Sequence, residues 1–128
     1  MQHYSTAEIS IGGKRCKAIL ADSFVKRAIG LMFRECLDKD ACMLFISKGE
    51  RDQSVTMCNM LFPLDILWLD GKQKIIHIEQ NVAPGGRFAI FKTYGPSRGS
   101  QYVIELNAGF ARKNRISKTT KIRLIEEK

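Results

Sequence analysis

Apolar and polar residues alternate in short runs along most of this chain, and that period of two predicts strands. Ile9 and Ile11 alternate with Glu8 and Ser10, and Gly12-Gly13 follows. Cys16, Ala18 and Leu20 carry the alternation back, so this is a first hairpin: paired glycines tolerate the positive φ that a two-residue turn demands. Residues 41–47 form a second strand region, 48–53 a polar loop, and 54–57 resume extended structure. Residues 64–70 read Leu64, Ile66 and Trp68 on one face against Asp65, Leu67 and Leu69 on the other. Asp70-Gly71 is the strongest hairpin signal in the chain, returning through 74–80 with Ile76 and Ile78 opposed to His77 and Glu79. A strand is predicted over 87–93 after the Pro84-Gly85-Gly86 loop. Tyr102, Ile104 and Leu106 then alternate with Val103, Glu105 and Asn107, and 121–125 close the fold.

Two short helices interrupt this pattern. Asp22 or Ser23 can cap the first, which places Phe24, Ala28 and Leu31 on one face and stops at Gly30. Asn107 can cap the second, over 108–113. No repeat, low-complexity tract or linker divides the chain, so residues 1–128 are read as a single domain. The predicted class is mainly β: a compact sandwich or barrel-like antiparallel sheet with two short helices.

Composition narrows the function classes. A chain of 128 residues with 45% hydrophobic and 27% charged residues buries a core without metal or disulfide support. The N-terminus lacks a basic start and an apolar stretch, and no run approaches the roughly 20 apolar residues of a membrane span. The expected localisation is therefore cytoplasmic, with no membrane partner. Cys16, Cys36, Cys42 and Cys58 contain no C-x-x-C spacing, and His3 and His77 stand far from any cysteine pair, so no metal or other cofactor is expected. Reduced, mostly buried thiols are the favoured reading, with a Cys36–Cys42 disulfide as the alternative. The net charge of +8 gathers toward the C-terminus, where Arg112, Lys113, Arg115, Lys118, Lys121, Arg123 and Lys128 face only Glu126 and Glu127. Nucleic acid is a candidate partner through that end, but a weak one. No aromatic residue follows Phe110, so a stacking platform is missing and the contact would be electrostatic.

Three segments together carry a family resemblance: Arg27-Ala28-Ile29-Gly30-Leu31-Met32-Phe33-Arg34, Met57-Cys58-Asn59-Met60-Leu61-Phe62-Pro63-Leu64-Asp65-Ile66, and Tyr102-Val103-Ile104-Glu105-Leu106-Asn107-Ala108-Gly109. In this order and spacing, from about Cys16 to Ile125, the chain resembles domain-of-unknown-function family 192 (DUF 192). The resemblance implies a compact, mainly β fold with short helices and no established activity. Family members commonly carry Phe-Trp-Met-Lys-Asn-Thr where this chain has Val55-Thr56-Met57-Cys58-Asn59-Met60. A ligand held by that aromatic–lysine platform in relatives would bind poorly here, or be replaced by another. Many bacterial relatives are exported.

The candidate site residues are Arg34, Met57, Asn59 and Asp65. Asp65 heads an otherwise apolar strand face, where a buried carboxylate needs a cation or backbone donors. Arg34 or the amides of the 59–62 loop are its expected partners, and a strand-end ion pair or turn cap is the plainer explanation of it. Asn59 commonly satisfies turn backbone, Met57 commonly fills core, and His77 reads as a surface residue beside Glu79. No nucleophile elbow, paired carboxylates, P-loop or GxGxxG is present. The leading reading is a non-catalytic small-ligand-binding or accessory domain, with a small molecule or a protein as partner. The alternatives are an enzyme using Asp65 as acid or base, and a nucleic-acid-associated protein.

Overall fold

The computed structural model describes residues 3–127, and side chains as far as Leu124. Lys128 and the side chains of Glu126 and Glu127, counted above in the C-terminal charge, lie outside that range. Seven strands form one sheet: β1 (Thr6–Ile11), β2 (Lys14–Ala21), β3 (Ala41–Arg51), β4 (Leu64–Leu69), β5 (Ile75–Val82), β6 (Ser100–Asn107) and β7 (Ile122–Glu127). The spatial order is β5-β4-β6-β3-β2-β1-β7, curled into a half-barrel. All pairings are antiparallel except β2 with β3, which run parallel because the crossover between them carries helix α1 (Phe24–Ile29). A second helix, α2 (Phe110–Lys113), follows β6.

The curl gives the sheet two buried faces. Inside it lie Ile9, Ile11, Ala18, Leu20, Cys42, Leu44, Leu67, Leu69, Ile104 and Leu106. On the outer face Met43, Phe45, Leu64, Ile66, Trp68 and Val103 pack under the segments that hold Leu31, Leu37, Met57 and Met60. The alternation in β4 therefore sorts side chains between two cores rather than between core and water, and every residue of β4 is buried. Buried Cys16 and Cys42 belong to the inner core; Cys58 is also buried and Cys36 is exposed, and all four are free thiols. Burial raises the Cys16 thiol to about 11, with Asp40 adding to the effect.

Several turns form for the expected reasons. Gly12 and Gly13 take φ of 59° and 87°, closing the first hairpin with Ile11 opposite Lys14. The second hairpin pairs Leu69 with Ile75 and Leu64 with Val82. Its turn is wider than Asp70-Gly71 alone: the Asp70 carboxylate accepts the Lys72 and Lys74 N–H groups, and the positive φ falls on Gln73. The Ser23 hydroxyl caps α1 by accepting the Lys26 N–H, and Gly30 ends the helix at φ 52°.

Other expectations are corrected. Residues 87–93 are not a strand; Arg87–Phe91 is a 3-10 helix with Phe88, Ile90 and Phe91 exposed, so their alternation meets no sheet neighbour. The polar loop expected over 48–53 begins later, since β3 runs on to Arg51. Asn107 does not cap α2; its side chain donates to the Leu37 carbonyl at 2.8 Å. The cap of α2 comes instead from Asp65.

Asp65 is 0% exposed. Its Oδ2 accepts the N–H of Gly109 at 3.1 Å and of Ala111 at 2.8 Å, and its Oδ1 accepts the N–H of Asn81 at 2.9 Å. Asn81 and Gly109 both have positive φ, so one carboxylate fixes the end of β5 and the turn from β6 into α2. Neither expected partner is used. Arg34 and the 59–62 loop stand against the outer face, while Asp65 points with Leu67 and Leu69 to the inner one. The Arg34 guanidinium lies 5.4 Å from the Tyr4 ring centroid instead. Asp65→Asn should set an NH2 group against N–H donors and lower stability by about 2–4 kcal/mol. Urea unfolding at neutral pH checks this; an unchanged midpoint would remove Asp65 from its structural role.

Candidate functional site

On the outer face the cover over the sheet is incomplete. A groove of about 330 Å³ opens between α1 and the 51–56 segment, floored by β3 and β6. Phe24, Arg27 and Ala28 form one wall, at the i, i+3, i+4 spacing that puts three residues on one side of a helix. This is why α1 buries none of its own residues: the face expected to pack on the core looks into the groove. Phe24 is 76% exposed at the mouth, and only Leu31, beyond the helix, reaches the core.

Both walls are anchored. Arg27 Nη1 donates to the Ile46 carbonyl at 2.9 Å, tying α1 to β3. Gly30 sits directly on Phe45, where a Cβ would come within 3.2 Å of the ring. The opposite wall hangs on Gln53. Its side chain donates to the Ser100 carbonyl and accepts from the Ser47 hydroxyl, while its own carbonyl accepts the Trp68 indole N–H at 3.0 Å. Val55 and Tyr94 exchange two backbone hydrogen bonds beside it. The groove is thus preformed rather than a gap between mobile loops.

Glu105 lies at its floor. It sits on β6 opposite Met43 on one side and Ile66 on the other, and is 5% exposed. Among the described residues no ion pair or hydrogen bond reaches its carboxyl group. Yet no fully enclosed side-chain oxygen or nitrogen there lacks a partner. The Glu105 oxygens therefore keep contact with the groove. Burial raises its pKa from the usual 4.5 to about 8, so the group is protonated at neutral pH.

The sequence-selected residues sit elsewhere. Met57 is buried, and its carbonyl accepts the N–H groups of Met60 and Gly85. Asn59 holds φ 58° and its carbonyl accepts the Phe33 N–H. Arg34 packs over Tyr4, and Asp65 lies across the sheet. Met57 and Asn59 share a turn, but Arg34, Asn59 and Asp65 do not converge, and none of the four lines the groove. Glu105 does not stand out in the sequence because its strand reads as a half-exposed one. The available signal was a lone acid on a strand whose neighbours are apolar on both faces. His77 bonds Glu79 at 2.8 Å on the outermost strand, as a surface pair. No described helix is long and apolar enough to cross a membrane.

The curled seven-stranded half-barrel with a groove over its outer face places this chain in a class of small, mainly β domains. Residues 7–124 match DUF192, described as an uncharacterized ACR, and the chain belongs to that family. A UPF0127 protein of Thermococcus kodakarensis is 27% identical over 75% of this chain and 57% of its own length. One of Thermococcus gammatolerans is 29% identical over 73% and 56%. The chain thus spans little more than half the length of these curated relatives. Among solved structures, a Sinorhizobium meliloti protein provisionally named a transcription regulator superposes with a TM-score of 0.87, at 25% identity and 97% coverage of both chains. A protein of unknown function from Novosphingobium aromaticivorans gives 0.81 at 24% identity, covering 92% of this chain and 84% of its own. Val55, Thr56 and Met60, three of the positions at which the resemblance noted above sets this chain apart, line the groove.

Glu105 makes folding depend on pH in a definite direction. The unfolded chain releases this proton near pH 4.5 and the folded chain near 8, so the folded state binds more protons between the two. Stability from this group is full below the lower value and declines as pH rises toward the upper one, by on the order of a few kcal/mol. Glu105→Gln should flatten the fall in melting temperature across that window. A variant whose pH–stability curve overlays the wild type would show that Glu105 is not buried as a neutral acid.

Proposed function

We propose that this protein is a non-catalytic small-ligand-binding or accessory domain, and that its site is the outer-face groove. One observation carries the reading: Glu105, a nearly buried carboxyl group without a partner among the described residues, at the floor of a preformed cavity. A carboxyl in such a place costs stability, and structure alone gives no return for it. A ligand that supplies the missing hydrogen bonds does.

The enzyme reading built on Asp65 loses its support, because that carboxylate has no exposure and three amide partners. A catalytic role for Glu105 would draw on its raised pKa. The polar groups around it are already committed, however: Ser47 donates to Gln53, and Ser54 to Asp52. Ser54 and Asp52 do form a hydroxyl–carboxylate pair on the wall, but Asp52 is exposed and the two hydrogen bonds from Ser54 hold its carboxyl below the usual range, which makes it a poor base. Arg112, Lys113, Arg115, Lys118, Lys121 and Arg123 are all exposed, but Phe110 is buried, so phosphate contact there would rest on charge alone.

The test is a screen of single-ring fragments followed by methyl NMR. Hits should shift Met60, Val55 and Val103, and Ala28→Trp, which fills the groove from an exposed wall position, should abolish them without lowering the melting temperature. Hits confined to the inner-face opening between Leu44, Tyr102 and Leu124 would place binding elsewhere and overturn the reading.

A further inference from the structure

We propose that the groove takes a neutral ligand by a primary amide, a lactam or a similar edge in which a carbonyl oxygen and an N–H stand side by side, and that the Glu105 carboxyl group reads that edge. This rests on the groove being the binding site and adds the class of ligand. What Glu105 can offer sets the class. A protonated carboxyl carries one O–H donor and one carbonyl acceptor in a single plane. An amide edge presents the complementary acceptor and donor, so the two close a pair of hydrogen bonds with no net charge.

The surroundings favour that neutral pairing over an ionic one. Met43 and Ile66 flank Glu105 across the sheet, and Phe45, Val103 and Met60 complete the floor. Hydrogen bonds between neutral groups gain strength in such a setting, whereas a charge brought there loses its hydration. A cationic ligand would ionise Glu105, but it would also enter a groove whose walls hold Arg27 and Arg51 against a single further carboxylate, Asp52, which is exposed and already bonded by Ser54. An anion would seat its charge among apolar side chains at the floor, with Arg27 engaged by the Ile46 carbonyl and Arg51 exposed at the rim beside Asp52. Burial keeps Glu105 protonated up to about pH 8, in agreement with the neutral pairing. Size fits as well. A cavity of about 150 Å³ holds benzene, so 330 Å³ accommodates one ring with an amide attached. Phe24 at the mouth offers a face for that ring.

Three probes share one ring and differ only in the polar group: benzamide, benzamidinium and benzoate. Each is titrated at millimolar concentration against the wild type and Glu105→Gln, at about pH 6.5 and about pH 9.5, with Met43, Met60, Ile66 and Val103 methyls as reporters. Benzamide should move these signals at the lower pH and bind on the order of tenfold more weakly at the higher one, as Glu105 loses its donor. Glu105→Gln, whose amide keeps a donor and an acceptor at every pH, should still bind benzamide and lose the pH dependence. That pattern cannot arise from a failure to fold. Stronger binding of benzamidinium, or of benzoate, would leave the groove as a binding site and overturn the amide class. Benzamide binding that ignores pH in the wild type would remove Glu105 from recognition. If none of the three probes moves the groove methyls, both the ligand class and the groove reading fall.

Discussion

β4 and β6 are neighbouring interior strands of a curled sheet whose two faces are both largely covered, and that constraint governs the rest of the molecule. In a half-exposed strand a polar side chain simply faces water. Here each one must find partners or be kept for another reason. These two neighbouring strands carry two buried carboxyl groups, and they meet the constraint in opposite ways. Asp65 is saturated by three backbone amides and ties β4, β5 and the β6–α2 turn together. Glu105, on the other face and one strand away, has no such set of donors, and its proton takes the place of a counter-charge.

That division explains why the recognised motif and the candidate site part company. The Pro63-Leu64-Asp65 stretch belongs to the architecture: its carboxylate makes a helix cap and a strand-end clamp from one residue. The groove is assembled from other segments. α1 leans over β3 through Arg27 and Gly30, the 51–56 segment is pinned by Gln53, and the space between them stays open down to Glu105. Family membership accordingly accounts for the fold, while the candidate groove is walled by segments outside that stretch, Val55, Thr56 and Met60 among them.

Much of the fold was legible because it is written in local chemistry. Gly12-Gly13 and Asp70-Gly71 announce their hairpins, Ser23 and Gly30 bracket α1, and the alternation in β4 sorts its side chains correctly. What failed depends on distance along the chain. The donors to Asp65 lie 16, 44 and 46 residues beyond it, and backbone amides leave no trace in a sequence. Residues 87–93 alternate like a strand but find no neighbour to pair with. Glu105 reads as an outward-facing residue until β6 is known to lie between β3 and β4, a fact of topology rather than of pattern.

The character of the groove depends on the protonation of one side chain, Glu105. A pH titration of the protein carrying 13C-labelled glutamate carboxyls, with the Glu105 resonance assigned by its loss in Glu105→Gln, measures it directly. The structure predicts a transition near pH 8, well separated from the other glutamates. A Glu105 that titrates with them, near the ordinary 4.5, would mean that its carboxyl is hydrated or paired, and would contradict the neutral acid at the floor of the groove.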